Sequence, residues 1–192
     1  KELILITPSY GDDNLLEVCG VKLIDILLKS NFKVLLRPHF KILKESKNLI
    51  ETINKNFGKN PDFIFEKGVI PSELFQSSTC MISDWSGISL EYAFTFERSV
   101  IFIDVQRKIL NPNSKKISVE PIEISIRHKV GHVINPSKIE EIPNLITSLN
   151  KSKKNSEKIR DICSKTIYNI GKSSTVGAEY IQQLNKELSL NN

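Results

Sequence analysis

The chain has 192 residues, 27 Lys and Arg against 22 Asp and Glu, a net charge of +5 and a hydrophobic content of 40%. That length holds one ordinary globular domain and falls short of two full-sized ones, and this much apolar content excludes a disordered polyelectrolyte. No run of about 18 apolar residues is present, so no segment reads as a membrane span.

Leu3-Ile4-Leu5-Ile6 is a short apolar run ending in the polar turn Thr7-Pro8-Ser9-Tyr10-Gly11-Asp12. Leu15, Leu16, Cys19, Leu23, Ile26 and Leu27 then share one helical face, with Asp13 or Asn14 placed to cap it. Phe32 to Leu36 is a second strand that leaves through Arg37-Pro38-His39, and a helix is expected over 41–57, closed by Gly58. Asp62 to Phe65 makes a third strand, Pro71 to Gln76 a short helix, and Thr79-Cys80-Met81-Ile82 a fourth strand broken at Ser83-Asp84-Trp85-Ser86-Gly87. A helix over 87–97 leads to the fifth strand, Val100-Ile101-Phe102-Ile103-Asp104. Residues 106–130 read as irregular, with turns at Asn111-Pro112-Asn113 and Glu120-Pro121, before a short sixth strand at His132-Val133-Ile134. Ile159, Ile162, Cys163, Thr166, Ile167 and Ile170, then Ala178, Ile181, Leu184 and Leu188, recur at helical spacing, so two helices are expected to close the domain.

Continuously apolar strands alternating with helices specify a parallel sheet covered on both faces. The expected fold is α/β, a doubly wound, mostly parallel Rossmann-like sheet. It forms one domain over 1–192, with the core sheet over 1–135 and closing helices over 138–190. The start, Lys1-Glu2-Leu3-Ile4, lies almost inside a strand and lacks both a methionine and a signal layout, so a piece of a longer polypeptide is expected.

Charge is uneven: residues 1–104 carry a net −2 and residues 105–192 a net +7. Lys151-Ser152-Lys153-Lys154 reads first as a solvated loop, and more sharply as a surface drawn to anionic lipid or a polyphosphate polymer. The basic half lacks interleaved aromatics, which argues against nucleic acid as a partner. Cys19, Cys80 and Cys163 are odd in number and set in apolar segments, which reads as buried thiols in a reducing, cytoplasmic setting. His39, His128 and His132 fall at no ligand spacing with them, so neither a zinc site nor any other metal is expected.

In an open parallel sheet, ligands bind beyond the carboxyl ends of the strands. Three polar clusters fall there: Ser9-Tyr10-Gly11, Arg37-Pro38-His39 and Ser83 to Gly87. Asp84, Ser86 and Gly87 sit where a strand turns into a helix, and the amides of Gly87, Ile88 and Ser89 would offer donors to a phosphate. The plain alternative is that Ser86 or Asp84 merely caps the helix. Glu91, one turn in, could accept from ribose hydroxyls or be an ordinary exposed acid. Arg37 could fork onto a diphosphate, and His39 could give a proton or hydrogen bond to a leaving phosphate. Alternatively they are a surface arginine and a packed histidine. Arg127 and His128 are candidates to close over the ligand, while His132 reads as structural.

Three blocks carry a family resemblance: Arg37-Pro38-His39, Met81-Ile82-Ser83-Asp84-Trp85-Ser86-Gly87-Ile88-Ser89-Leu90-Glu91-Tyr92-Ala93, and Ser99-Val100-Ile101-Phe102-Ile103-Asp104. They resemble the carboxy-terminal half of the CDP-glycerol glycerophosphotransferases, polymerases of teichoic acid and capsule with a GT-B architecture. The resemblance covers residues 1–105, with a looser echo at Gly171-Lys172-Ser173-Ser174. Phe40 stands where the family has proline after the histidine, and Trp85-Ser86-Gly87 where it has Tyr-Ser-Ser, which puts the transferred group in doubt more than nucleotide binding.

The resemblance implies that this half binds a nucleotide-diphosphate donor, CDP-linked rather than UDP-linked, while an absent amino-terminal half supplies the acceptor side. By resemblance Arg37 and His39 would be the catalytic pair at the donor phosphates, Ser83, Ser86 and the helix start at Gly87 would hold those phosphates and Glu91 would hold ribose; from their own positions, Ser9, Tyr10, Gly11, Asp84 and Arg127 are the further candidates to line the site. No cofactor beyond the donor is required, and a peripheral place at the inner face of a bacterial membrane is implied. Two other functions remain open: a UDP-sugar-dependent GT-B glycosyltransferase domain, and a non-catalytic basic module that docks on a membrane or partner chain.

Overall fold

The computed structural model describes every residue except 70, 108, 110, 112, 114–115, 150–153 and 191–192. Pro112 and the basic stretch 151–153 therefore lie outside the described residues. Six strands form one sheet: β1 (Leu3–Thr7), β2 (Lys33–Leu36), β3 (Phe63–Phe65), β4 (Ser78–Ser83), β5 (Val100–Ile103) and β6 (Gly131–Ile134). Their order is β3-β2-β1-β4-β5-β6 and every neighbouring pair is parallel. This is the doubly wound, Rossmann-like arrangement the apolar runs specify.

Both faces of the sheet are covered, which explains strands with no polar alternation. Ile4, Ile6, Val34, Leu36, Ile82 and Ile101 enter one core; Leu3, Leu5, Leu35, Met81, Val100 and Phe102 enter the other. Full burial of each such side chain contributes roughly 1.5–3 kcal/mol. Gly131 opens β6 because a Cβ there would lie 2.0 Å from the carbonyl oxygen of Val100.

The helices are α1 (Val21–Lys29), preceded by a π turn over Leu16–Gly20, α2 (Phe40–Glu45), α3 (Lys47–Phe57), α4 (Ser72–Ser77), α5 (Ile88–Phe96), α6 (Ile122–Ser125), α7 (Arg127–Val130), α8 (Ile142–Leu149), α9 (Lys154–Thr166) and α10 (Ser173–Leu190). The helix expected over 41–57 is two, because Ser46 leaves helical geometry at φ −110°, ψ 49° and its hydroxyl donates to Glu17. Asn14, as expected, caps the first helical turn, its side-chain oxygen accepting from the Leu16 amide at 2.9 Å.

The region expected to be irregular before β6 contains α6 and α7, and the closing helices begin directly after β6, ahead of the two periodic stripes. Asn135 accepts from Ser137, Pro136 opens a 3₁₀ turn over Pro136–Glu141, and α8 continues it, burying Ile139, Ile142 and Ile146 in the first core.

Only one of the two expected closing helices closes the sheet. α9 lays Ile159 on the second core and stops at Thr166, where left-handed Asn169 (φ 55°) and Gly171 (φ 74°) redirect the chain. Ile167 and Ile170 consequently stay exposed, and so do Val176, Tyr180, Ile181, Leu184 and Leu188 of α10. Helical periodicity establishes that a face needs covering; it does not specify what covers it. Among the described residues, no helix is long and apolar enough to cross a membrane.

Candidate functional site

The strand order reverses direction between β1 and β4: from β1 the chain steps outward to β2 and β3, then returns to place β4 on the other side. Such a reversal leaves a crevice at the carboxyl ends of the two central strands. The register sets those ends level, with Ile6 opposite both Leu36 and Ile82 and Thr7 opposite Ser83. With strands ~4.8 Å apart, Arg37 and Ser83 start about 10 Å from each other across β1. The three polar clusters therefore emerge on one edge.

Asp84 holds two of them together. Its carboxylate is buried and accepts from the amides of Ser9 at 2.6 Å, Trp85 at 2.8 Å and Leu15 at 3.0 Å. Both oxygens are thereby turned onto the loop after β1, so Asp84 shapes that loop. Ser83 is buried too, and its hydroxyl donates to the carbonyl of Thr7 at 2.6 Å. A hydroxyl has a single proton to donate. Both are turned inward here, Ser83 onto β1 and Asp84 onto the loop that follows it.

The second and first clusters meet through rings. His39 caps α2, its Nδ1 accepting from the Lys41 amide at 3.2 Å, and its ring lies 4.6 Å from that of Tyr10 and 4.4 Å from that of Phe40. An acceptor Nδ1 places the proton of the neutral ring on Nε2. Lys41 Nζ stands 4.2 Å over the Tyr10 ring and brings a cation to the same edge. Gly11 turns the loop at φ 95°, a left-handed conformation that glycine adopts without strain. Arg37 departs from the group: its Nε donates to the Gly68 carbonyl at 3.4 Å, on the β3 side.

The turn from β4 into α5 supplies the open end. Gly87 is exposed, and a Cβ built on it would meet nothing within 4 Å. Its φ of −58° is one any residue adopts, so the fold itself does not require glycine there. The Ser89 amide donates to the Ser86 carbonyl at 3.1 Å, and Ser89 Oγ donates to the same oxygen at 2.6 Å. Of the three amides expected to be donors, those of Gly87 and Ile88 remain without a hydrogen-bond acceptor among the described residues. Gly87 takes the capping position with no side-chain cap bond, so the capping role considered for Ser86 is not realised. Glu91 is exposed one turn into α5. A cleft of about 260 Å³ opens beside Gly87, with Ser9, Tyr10 and Trp85 in its wall.

Arg127 is buried rather than poised to close over the crevice. Its Nη1 pairs with Asp104 at 3.1 Å, Nη2 donates to the Ile103 carbonyl at 3.3 Å, and the guanidinium carbon sits 3.9 Å over the Trp85 ring. Burial pushes its pKa below the usual arginine value, while the Asp104 hydrogen bond and charge pull the other way. Trp85 is fixed in turn, its Nε1 donating to the Val105 carbonyl at 3.0 Å. The sequence offered no signal for this stack, since Trp85 and Arg127 belong to unrelated segments. His128 and His132 are exposed, and burial together with Lys158 lowers the pKa of His132. Burial pushes the thiols of Cys19 and Cys80 up to about 11 and about 12, which makes them poor nucleophiles.

No protein-family model and no curated protein matches the sequence. Solved structures do match its fold. The crystal structure of the GtfA/B complex is similar over 96% of this chain and 36% of that one, with a TM-score of 0.54 at 11% identity. The UDP-GlcNAc 2-epimerase of Methanocaldococcus jannaschii, in complex with UDP-GlcNAc and UDP, is similar over 88% and 45%, with a TM-score of 0.51 at 12% identity. The chain thus spans less than half the length of either. At these identities the likeness concerns architecture: a Rossmann-like α/β domain. Neither comparison reaches the CDP-glycerol glycerophosphotransferases, whose resemblance rests on the sequence blocks alone.

Proposed function

We propose that this chain is the donor-nucleotide-binding domain of a GT-B-type transferase that builds a cell-surface polymer, similar to the CDP-glycerol glycerophosphotransferases. One observation carries the reading: at the strand-order reversal, the loop after β1 is bonded to the turn after β4 through Ser9 and Asp84. The exposed start of α5 at Gly87 opens beside that joint. Unpaired amides at a helix start favour an anion, such as the diphosphate of a nucleotide donor.

In this reading the amides of Gly87 and Ile88 receive the phosphates, with the Ser86 hydroxyl alongside, and Glu91 accepts from ribose. The Nε2–H of His39 faces the leaving phosphate, and Arg37 exchanges its long bond to Gly68 for the diphosphate. An acceptor hydroxyl oxygen attacks the donor's β-phosphorus and the bond from that phosphorus to the bridging oxygen breaks. CMP then leaves with the electron pair, and the hydroxyl proton passes to a base of the acceptor half or to water. Donors positioned on the leaving phosphate stabilise the charge that develops there. The acceptor half, contact with an anionic membrane at its inner face, and independence from a metal or other cofactor belong to the same proposal.

A second reading, a UDP-sugar donor, is favoured by the aromatic cleft beside Gly87 and by the bound UDP-GlcNAc of the epimerase neighbour. Isothermal titration with CDP, CMP and UDP tests the shared core of both. Millimolar or tighter binding of at least one supports it; no binding of any refutes it, and the docking-module alternative then takes over. That alternative expects binding to anionic vesicles unaffected by Arg37→Ala.

A further inference from the structure

Resting on the polymer-building reading, we infer that the outer edge of α2 is a track for the anionic acceptor chain, with Lys41 and Lys44 as its phosphate contacts. Two cations stand there without an acid. Lys41 Nζ lies 4.2 Å from the centre of the Tyr10 ring, and Lys44 Nζ lies 5.8 Å from that of Phe40. Among the described residues neither lysine forms an ion pair, although Glu45 belongs to the same helix. A ring is a weaker partner for an ammonium than a phosphate oxygen, so both cations exchange readily onto a phosphate.

The rings bring the cations to the crevice. Tyr10 and His39 lie 4.6 Å apart between ring centres, and His39 and Phe40 lie 4.4 Å apart. The contacts thus run from Lys41 through Tyr10, His39 and Phe40 to Lys44. Lys41 and Lys44 are three residues apart on one helix and are therefore neighbours on its surface. Two phosphates of one chain can engage both. His39, placed at the leaving phosphate in the donor reading, is in the middle of the series, so a chain held here passes the reacting group. The resemblance puts the acceptor on the other half; this edge adds a contact from the donor-binding half.

The chemistry selects among polyanions. Tyr10 and Phe40 each already meet His39 and an ammonium, whereas single-stranded nucleic acid needs rings on which bases stack. Phe40 is 56% exposed, but one apolar side chain does not make the apolar face with which a helix lies in a membrane surface. Unpaired ammonium groups without a stacking or inserting surface suit a flexible string of phosphates: a phosphodiester-linked polyol.

The test is titration with a glycerol phosphate hexamer, a thymidine hexanucleotide and phosphatidylglycerol vesicles, each at low and high salt, beside CDP and UDP. The hexamer is expected to bind, and to bind less tightly as salt rises. Lys41→Gln and Lys44→Gln should each weaken it about three- to fivefold and flatten its salt dependence. Lys44→Gln, at an exposed position, should leave CDP and UDP within about twofold. No binding of the hexamer, or equal binding by wild type and both variants, overturns the track; the donor-binding reading then stands or falls with CDP and UDP. Lysine-dependent binding of the hexanucleotide or the vesicles more tightly than the hexamer overturns it in favour of that partner. Lysine-dependent binding of the hexamer without binding of either nucleotide keeps the track and refutes the donor-binding reading.

Discussion

The carboxylate of Asp84 accepts the backbone amide of Ser9 at 2.6 Å, joining two loops that are 75 residues apart in the chain. That bond, with those from Leu15 and Trp85, makes two of the three turns at the crevice edge a single unit. Asp84→Ala leaves three amides without their acceptor in a buried place and should cost roughly 2–4 kcal/mol. Asp84→Asn keeps the volume but aims an amide donor at backbone donors, so it should fall between wild type and alanine. Urea denaturation midpoints would show the order; an Asp84→Ala midpoint equal to wild type would refute the brace.

Gly87→Ala separates fold from binding. The backbone is already helical there and the added methyl meets no atom, so stability should be unchanged or rise by up to about 1 kcal/mol. Nucleotide affinity should nevertheless fall at least threefold, since the methyl occupies the space through which a phosphate approaches. Thermal unfolding and titration on the same sample give both readings, and unchanged affinity would move the phosphates elsewhere.

Arg37 is half-exposed and its guanidinium holds a single long hydrogen bond among the described residues. Arg37→Ala should leave stability within about 0.5 kcal/mol while weakening nucleotide diphosphate binding by about 1–3 kcal/mol. Equal affinity of the variant would leave Arg37 as a surface residue.

Arg127→Met removes a buried cation from beneath Trp85 and leaves Asp104, which is half-exposed and can be hydrated. Destabilisation of roughly 1–3 kcal/mol is expected, chiefly from lost packing and the lost cation–π contact. Because Trp85 is the sole tryptophan, its emission should also shift to the red as the indole loosens. An unchanged spectrum would mean that the Val105 hydrogen bond fixes the indole by itself.

Three buried acids predict alkaline sensitivity. Burial is the main cause that pushes Tyr92 from 10.0 to about 12, Cys80 from 9.0 to about 12 and Cys19 from 9.0 to about 11. The folded state thus favours the neutral, protonated forms. Their contribution is complete below the unfolded values and is lost as pH rises from 9 towards 12. Unfolding midpoints should be flat up to pH 9 and then fall. Tyr92→Phe should lessen the slope above pH 10, where the two thiols still contribute, at a cost of about 1 kcal/mol near neutrality for its lost bond to Ser78. A midpoint independent of pH over that range would contradict the burial of these groups.

All six strands, the Asn14 cap and the grouping of three polar clusters at strand ends could be read from residue order, because periodicity and turn chemistry are local properties of a chain. Local pattern also sufficed to mark Ile159 and the α10 stripe as faces in need of cover. Which face found cover was settled by packing: Ile159 reached the second core, while Leu184 and Ile181 stay exposed. The same holds for polar atoms. Asp84, Ser83 and Arg127 are chemically suited to a ligand, yet each is turned inward onto a partner brought near by the sheet register and by the course of the chain around β5. A side chain's chemistry is written in its residue type, whereas its partner depends on contacts between segments 20 to 76 residues apart, and only the folded sheet sets those distances.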